Sequence, residues 1–164
     1  MDRLRTILLE EMPRLRRFSY SLTGTKADAD DLVQDLVVRL LKSGLPENVA
    51  PVPWMLRVCK NLWIDEIRSR KVREREDVVA QIKESNDTVV DRSGLKIDTG
   101  KVLQAVEQLP TGQRLAISLV AIENLSYADA AVVLDIPVGT VLSRVARARA
   151  NLMQQFHGKI GVDA

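Results

Sequence analysis

Thr140, Ser143, Arg144, Arg147 and Asn151 recur at i, i+3, i+4, i+7 and i+11, the spacing that lines one side of an α-helix. All five donate hydrogen bonds, two carry a fixed positive charge, and no acid interrupts them. Such a stripe suits phosphate oxygens and guanine edges, as a helix laid in a DNA major groove requires. A helix facing only water also carries arginines, so the stripe alone leaves a plain solvated face equally open. A second basic arc lies in WMLRVCKNLWIDEIRSRK (54–71), where Arg57, Lys60, Asn61, Arg68 and Lys71 share one side. Met55, Val58, Cys59, Leu62 and Trp63 lie together on another face. That arc fits a phosphate backbone, with a solvated basic face as the alternative, and Asp65 at its border tempers it. Trp54 and Trp63 project to different sides. Both suit core anchoring, although one partly exposed ring could stack on an unpaired base.

A third set is acidic. Asp28, Asp30 and Asp31 stand near a helix N-terminus, where the helix dipole favours anions without any partner. Asp35 lies beyond the first turn, four residues from Asp31, and like charges at that spacing repel by a few tenths of a kcal/mol. Asp31, Gln34, Asp35 and Val38 then form a surface ridge, and a cationic partner would offset the repulsion.

Catalysis finds little support. Cys59 is the only cysteine and His157 the only histidine. That excludes an internal disulfide and a Cys/His zinc site, and leaves a nucleophile–histidine device only the tail histidine to use. No cofactor is expected.

These residues need helices to position them. Apolar residues make up 46% of the 164-residue chain and aromatics only 4%, so the core is Leu, Val, Ile and Ala, a composition suited to helices. No strand pattern or internal repeat is present. A helical pattern begins near Asp2, is broken or restarted at Pro13, and closes at Thr23-Gly24. Thr25 to Asp28 resembles a capping box and opens KADADDLVQDLVVRLLKS (26–43). Its apolar stripe is Ala29, Leu32, Val33, Leu36, Val37, Leu40 and Leu41. LPENVAPVP (45–53) holds three prolines in nine residues and reads as a loop. A helix follows from Trp54 to about Lys71. The polar, weakly periodic stretch 72–97 reads as a linker whose first part extends that helix. Val102, Ala105, Val106 and Leu109 restore periodicity, Pro110 breaks it, and a helix is expected from Thr111 to Glu123.

The expected fold is all-α. Two small helical domains, at about 1–76 and 98–164, are joined by a flexible linker at 77–97, and the second contains a helix-turn-helix. In that motif Ser126 to Asp129 caps a support helix, with the small Ala130 and Ala131 allowing close approach. Asp135 occupies the turn as a residue that tolerates positive φ, and Pro137 precedes the second helix. Val138, Val141, Leu142, Val145, Ala148 and Leu152 are assigned to its inner side, with Arg149 snorkelling outward from it. The turn and both helix starts in this order favour the DNA reading of the polar stripe. Net charge is +3, −1 and 0 over domain, linker and domain, so any affinity for nucleic acid comes from where charge is placed, not from its total. No apolar run approaches ~20 residues, and acids and a proline interrupt the N-terminus. A cytoplasmic protein with no membrane insertion is expected.

LRRFSYSLTGTKADADDLVQDLVVRLL, PWMLRVCKNLWIDEIRSRK and LPTGQRLAISLVAIENLSYADAAVVLDIPVGTVLSRVARARANL together resemble bacterial sigma factors of the extracytoplasmic-function (ECF) type, which contain only sigma regions two and four. The resemblance spans nearly the whole chain. It implies that Asp31, Gln34 and Asp35 bind the β′ clamp helices of core RNA polymerase, with Val38 on the same ridge. It implies that the helix at 54–71, with Arg57, Lys60, Asn61, Arg68, Lys71 and Trp54, engages the −10 element as single-stranded DNA. The loop at 45–53 would take a flipped base, and the linker would thread toward the RNA exit channel. Thr140, Ser143, Arg144, Arg147 and Asn151 would read the −35 element as duplex. A separate anti-sigma factor is an expected partner. The chain departs from the family pattern in having Asp135 where glycine is usual, Leu142 where a basic residue is common, and Asp129-Ala130-Ala131 where an acid-Ile-Ala run is common. Two rivals stand beside this reading. A sigma-like decoy for an anti-sigma factor would tend to lose the basic arcs, which are intact. A helix-turn-helix repressor would usually need a dimer and would leave the Asp31/Asp35 ridge unexplained.

Overall fold

Helices begin where the sequence supplies caps. In the computed structural model, which describes residues 2–76 and 97–160 and the side chains of 3–74 and 101–156, Thr25 accepts a hydrogen bond from the Asp28 amide and opens α2 (Lys26–Ser43). Ser126 does the same for Asp129 and opens α6 (Tyr127–Leu134). Each cap satisfies an amide that the first turn leaves without an internal partner. The remaining helices are α1 (Asp2–Thr23), α3 (Pro51–Glu76), α4 (Ile97–Glu107), α5 (Thr111–Ile117) and α7 (Val138–Ile160). Among the described residues there is no strand. The expected linker falls at 77–97, of which 77–96 lie outside the described residues.

Three boundaries differ from expectation. Pro13 lies inside α1 and does not break it. The proline is exposed, as is Leu9 one turn earlier, so the carbonyl deprived of its donor faces water. Leu8, Leu15 and Phe18 are buried on the opposite side and hold both halves of the helix to one core. The proline-rich loop is shorter than 45–53, because α3 starts at Pro51 and takes Pro53 into its first turn. A first turn has no internal partners for its amides, so prolines there remove nothing, and Trp54 N–H closes onto the Ala50 carbonyl at 3.2 Å. The helix from Thr111 does not run uniformly to Glu123. It widens into a π turn at Ser118–Ile122, with the Glu123 amide bonded to the Ser118 carbonyl at 2.9 Å.

Helices α1, α2 and α3 pack around Leu15, Phe18, Leu22, Leu32, Leu36, Leu40, Met55, Leu56 and Cys59, all buried. Fully burying each large aliphatic contributes about 1.5–3 kcal/mol. Helices α4 to α7 pack around Val106, Leu115, Leu119, Ala130, Val133, Val141, Val145 and Ala148. The two groups are in contact: α1 meets α4, α5 and the π turn, α3 meets α6, and their buried side chains form one continuous cluster. Gly24, at the end of α1, is one seam of this contact. It has φ +86°, and a Cβ there would run into the Glu107 carboxylate.

Candidate functional site

Asp135 ends α6 in the left-handed conformation (φ 58°, ψ 48°), as its place in the turn predicts. Pro137 follows, and α7 starts at Val138. The buried seam of α7 is Val141, Val145 and Ala148, with Leu152 half-buried, and it packs onto α5 and α6. This seam rotates the helix relative to the sequence expectation. Arg147 is fully on the outside, whereas Thr140, Ser143, Arg144 and Asn151 are half-buried on a flank. Asn151 Nδ2 donates to Gln113 Oε1 at 2.6 Å. The Arg144 guanidinium lies over Gly112, where a Cβ would come 3.2 Å from its Nη1. Two of the five predicted recognition residues thus face α5.

The outer face instead carries residues assigned to the inner side: Val138 and Leu142 are 42% and 46% exposed, and Arg149 beside Leu142 is exposed too, as are Ala146 and Ala150. Arg149 and Leu142 are the functional candidates that the sequence pattern missed. Val138 and Leu142 are apolar yet exposed, so an apolar set that contains them is centred off the buried seam. The narrower spacing Val141, Val145, Ala148, Leu152 identifies the true seam.

The basic arc of α3 is split. Asn61, Arg68 and Lys71 are exposed, and Trp54 and Arg57 are half-buried. Lys60 is only 8% exposed. Burial pushes its ammonium pKa below the ordinary lysine range, Arg57 adds to this by repulsion, and Asp135 opposes both. Arg57 Nη2 lies 3.9 Å from Asp135 Oδ2. The helix-turn-helix turn therefore stands over the first half of the arc and leaves the second half open. Trp63 is buried, with the Arg114 guanidinium 5.4 Å from its ring centroid, and is the core anchor expected of it.

Arg114 joins the two helix groups. It donates to the carbonyls of Leu22 and Glu107, and burial lowers its pKa against the opposing field of Glu107. The π turn delivers Glu123 to a second contact between the two helix groups. The Glu123 side chain is fully buried and is held by Arg17, with Arg14 Nε 3.6 Å from the same carboxylate. Asp31, Gln34, Asp35 and Val38 lie on the opposite face of α2 from Leu32, Leu36 and Leu40, and all four are exposed. Among the described residues neither Asp31 nor Asp35 has an ion-pair partner. No group of metal-ligating side chains occurs among the described residues, and none of their helices is long and apolar enough to cross a membrane.

The Sigma-70 region 2 family pattern matches residues 8–73, and the Sigma-70, region 4 pattern matches 99–152. The ECF RNA polymerase sigma factor EcfG of Rhodopseudomonas palustris is 35% identical over 154 residues, covering 92% of this chain and 83% of that protein. Among solved structures, the sigma factor RpoE in complex with the anti-sigma factor NepR from Bartonella quintana superposes with TM-score 0.79 at 27% identity, over 94% of this chain and 96% of that one. CnrH, solved in complex with the cytosolic domain of CnrY, has the same fold, with TM-score 0.69 at 24% identity over 93% and 86% of the two chains. By these matches, the chain belongs to the ECF sigma factors, the alternative sigma factors that direct RNA polymerase in transcription.

Proposed function

We propose that three surfaces of this sigma factor divide the work of promoter recognition. The exposed ridge Asp31, Gln34, Asp35 and Val38 docks on the β′ clamp helices of core RNA polymerase. The α3 arc of Arg57, Lys60, Asn61, Arg68 and Lys71, with Trp54 at its start, engages the −10 element and stabilises its opened strand. The outer face of α7, bordered by Arg149 on one side and by Arg147, with Ser143 and Thr140, on the other, enters the major groove of the −35 element. Arg144 and Asn151 support α7 from its α5 side, and Arg144 reaches phosphate from the flank. Polymerase supplies the chemistry and this chain supplies recognition, in the cytoplasm where polymerase acts. The domains divide at about residues 76 and 98.

The observation that carries this reading is the ridge. Two carboxylates one turn apart, neither of them in an ion pair among the described residues, are a local cost that a cationic partner relieves. A helix-turn-helix repressor has no use for that ridge.

The closed arrangement of the helices is a resting form. Lys60 is buried and Arg57 half-buried against Asp135, so α4–α7 must swing away from α1–α3 for the whole −10 surface to work. An anti-sigma factor that holds this closed form would silence the protein. The RpoE and CnrH folds, solved bound to NepR and CnrY, support a partner of that kind.

The ridge is tested by capture of core polymerase on the purified chain. Asp35→Lys should weaken capture at least tenfold with an unchanged melting temperature. Equal capture by the variant, or a matching loss of stability, contradicts the docking role.

A further inference from the structure

We propose that Leu142 is a specificity determinant of the −35 contact, reading the C5-methyl group of thymine. The inference rests on the proposed placement of α7 in the major groove and names a base contact that placement leaves open. Leu142 is the fifth residue of α7, in the part of a helix-turn-helix recognition helix that reaches base edges. Its side chain is 46% exposed, beside Val138 at 42%. Neither belongs to the buried seam of Val141, Val145 and Ala148.

The surroundings of Leu142 select its occupant. Gly139, Ala146 and Ala150 are small and exposed, and a Cβ on Gly139 would meet nothing within 4 Å. Arg149, seven residues on, stands beside Leu142, Arg147 borders the far side of the exposed arc, and no acid occurs anywhere in α7. A surface that complements this one has apolar groups at its centre and negative charge at its rim. The major groove offers that combination: phosphates line both walls, and the thymine methyl is the one apolar group on its floor. The small side chains let the α7 backbone come close, as a helix about 10–12 Å across must in a groove about 12 Å wide. A partner helix seated on an apolar groove would find bulky anchors rather than glycine and alanine at these positions.

The decisive experiment deletes the methyl alone. The holoenzyme, this chain with core polymerase, selects its −35 sequence from a randomised duplex library. Each thymine of that sequence is then replaced singly by deoxyuridine. At one or two positions, uridine should weaken binding by the wild-type holoenzyme about fourfold, the value of one buried methyl. Holoenzyme carrying Leu142→Ala should bind thymine and uridine duplexes equally. Leu142→Arg should move the selected base away from thymine at that position.

A selected element without thymine overturns the proposal. So does uridine tolerated everywhere, or a uridine penalty that survives Leu142→Ala. Loss of anti-sigma capture by Leu142→Ala with an unchanged uridine penalty assigns the residue to a protein partner instead. Arg147→Ala separates the two levels. If it flattens the selected −35 preference while uridine stays neutral, only the Leu142 inference fails. If it leaves the preference unchanged, the placement of α7 fails with it.

Discussion

Arg17 grips the carboxylate of Glu123 with two hydrogen bonds, Nε to Oε2 at 3.0 Å and Nη2 to Oε1 at 2.8 Å, between residues 106 apart in sequence. Glu123 is fully buried, whereas the Arg17 side chain is half exposed. The hydrogen bonds to Glu123 raise the Arg17 pKa against a smaller desolvation effect. A buried carboxylate stripped of its cation is expensive, but this one has an alternative to unfolding. Separation of the two helix groups returns it to water. The bridge is therefore a latch on the closed form rather than a support of either group alone.

Arg17→Ala should shift the balance toward the open form by about fivefold, the effect of about 1 kcal/mol once the solvent exposure of Arg17 is discounted. Fluorescence energy transfer between dyes on α2 and α7 should report the added separation, while circular dichroism stays helical. An unchanged distance distribution contradicts the latch. Arg14, 3.6 Å from the same carboxylate, limits the effect, so Arg14→Ala with Arg17→Ala should open the protein further than either change.

On α7 the rotated face separates reading from support. Arg147→Ala should lower promoter affinity about tenfold and relax base preference at one position. Arg149→Ala should weaken binding and reduce the salt dependence by about one phosphate contact. Asn151→Ala, which removes the bond to Gln113, should cost about 1 kcal/mol of stability and leave base preference intact. Promoter binding across a salt series, with thermal melts, distinguishes these outcomes.

Cys59 gives a titration test of the first helix group. Burial pushes its thiol pKa up to about 12, partly opposed by the hydrogen bond with Ser19. In the unfolded chain it titrates near its ordinary value, so the raised folded pKa contributes stability in full below that value. As pH rises from about 9 to 12 that contribution is lost, at up to about 1.4 kcal/mol per pH unit. Denaturant melts should show this decline, and Cys59→Ala should flatten it. The native thiol should also resist alkylation at pH 8 until the protein unfolds.

Much of this was legible in the sequence where local chemistry decides. The caps at Thr25 and Ser126, the left-handed turn at Asp135, the α2 stripe and the exposed ridge all follow from residue type and spacing. The break expected at Pro13 is absent because its penalty depends on what the deprived carbonyl faces, and burial on the opposite side of α1 decides that. Pro51 and Pro53 read as loop from sequence alone because a proline cluster signals a break equally well before a helix or in its first turn. The outer face of α7 was misplaced by about one side chain because Leu142 and Val138 are apolar yet exposed, which only the packing against α5 and α6 reveals. The Arg17–Glu123 bridge and the covering of Lys60 were invisible, since each joins residues far apart in the chain and depends on how two helix groups meet.

The most direct test of the whole account is promoter-dependent transcription in vitro. Purified chain is added to sigma-free core RNA polymerase with genomic DNA of the source organism, and the 5′ ends of the transcripts are sequenced. The account predicts new start sites sharing two upstream elements at fixed spacing, lost with Asp35→Lys and altered in the upstream element by Arg147→Ala. No new starts, with the same core active under a control sigma factor, would contradict it.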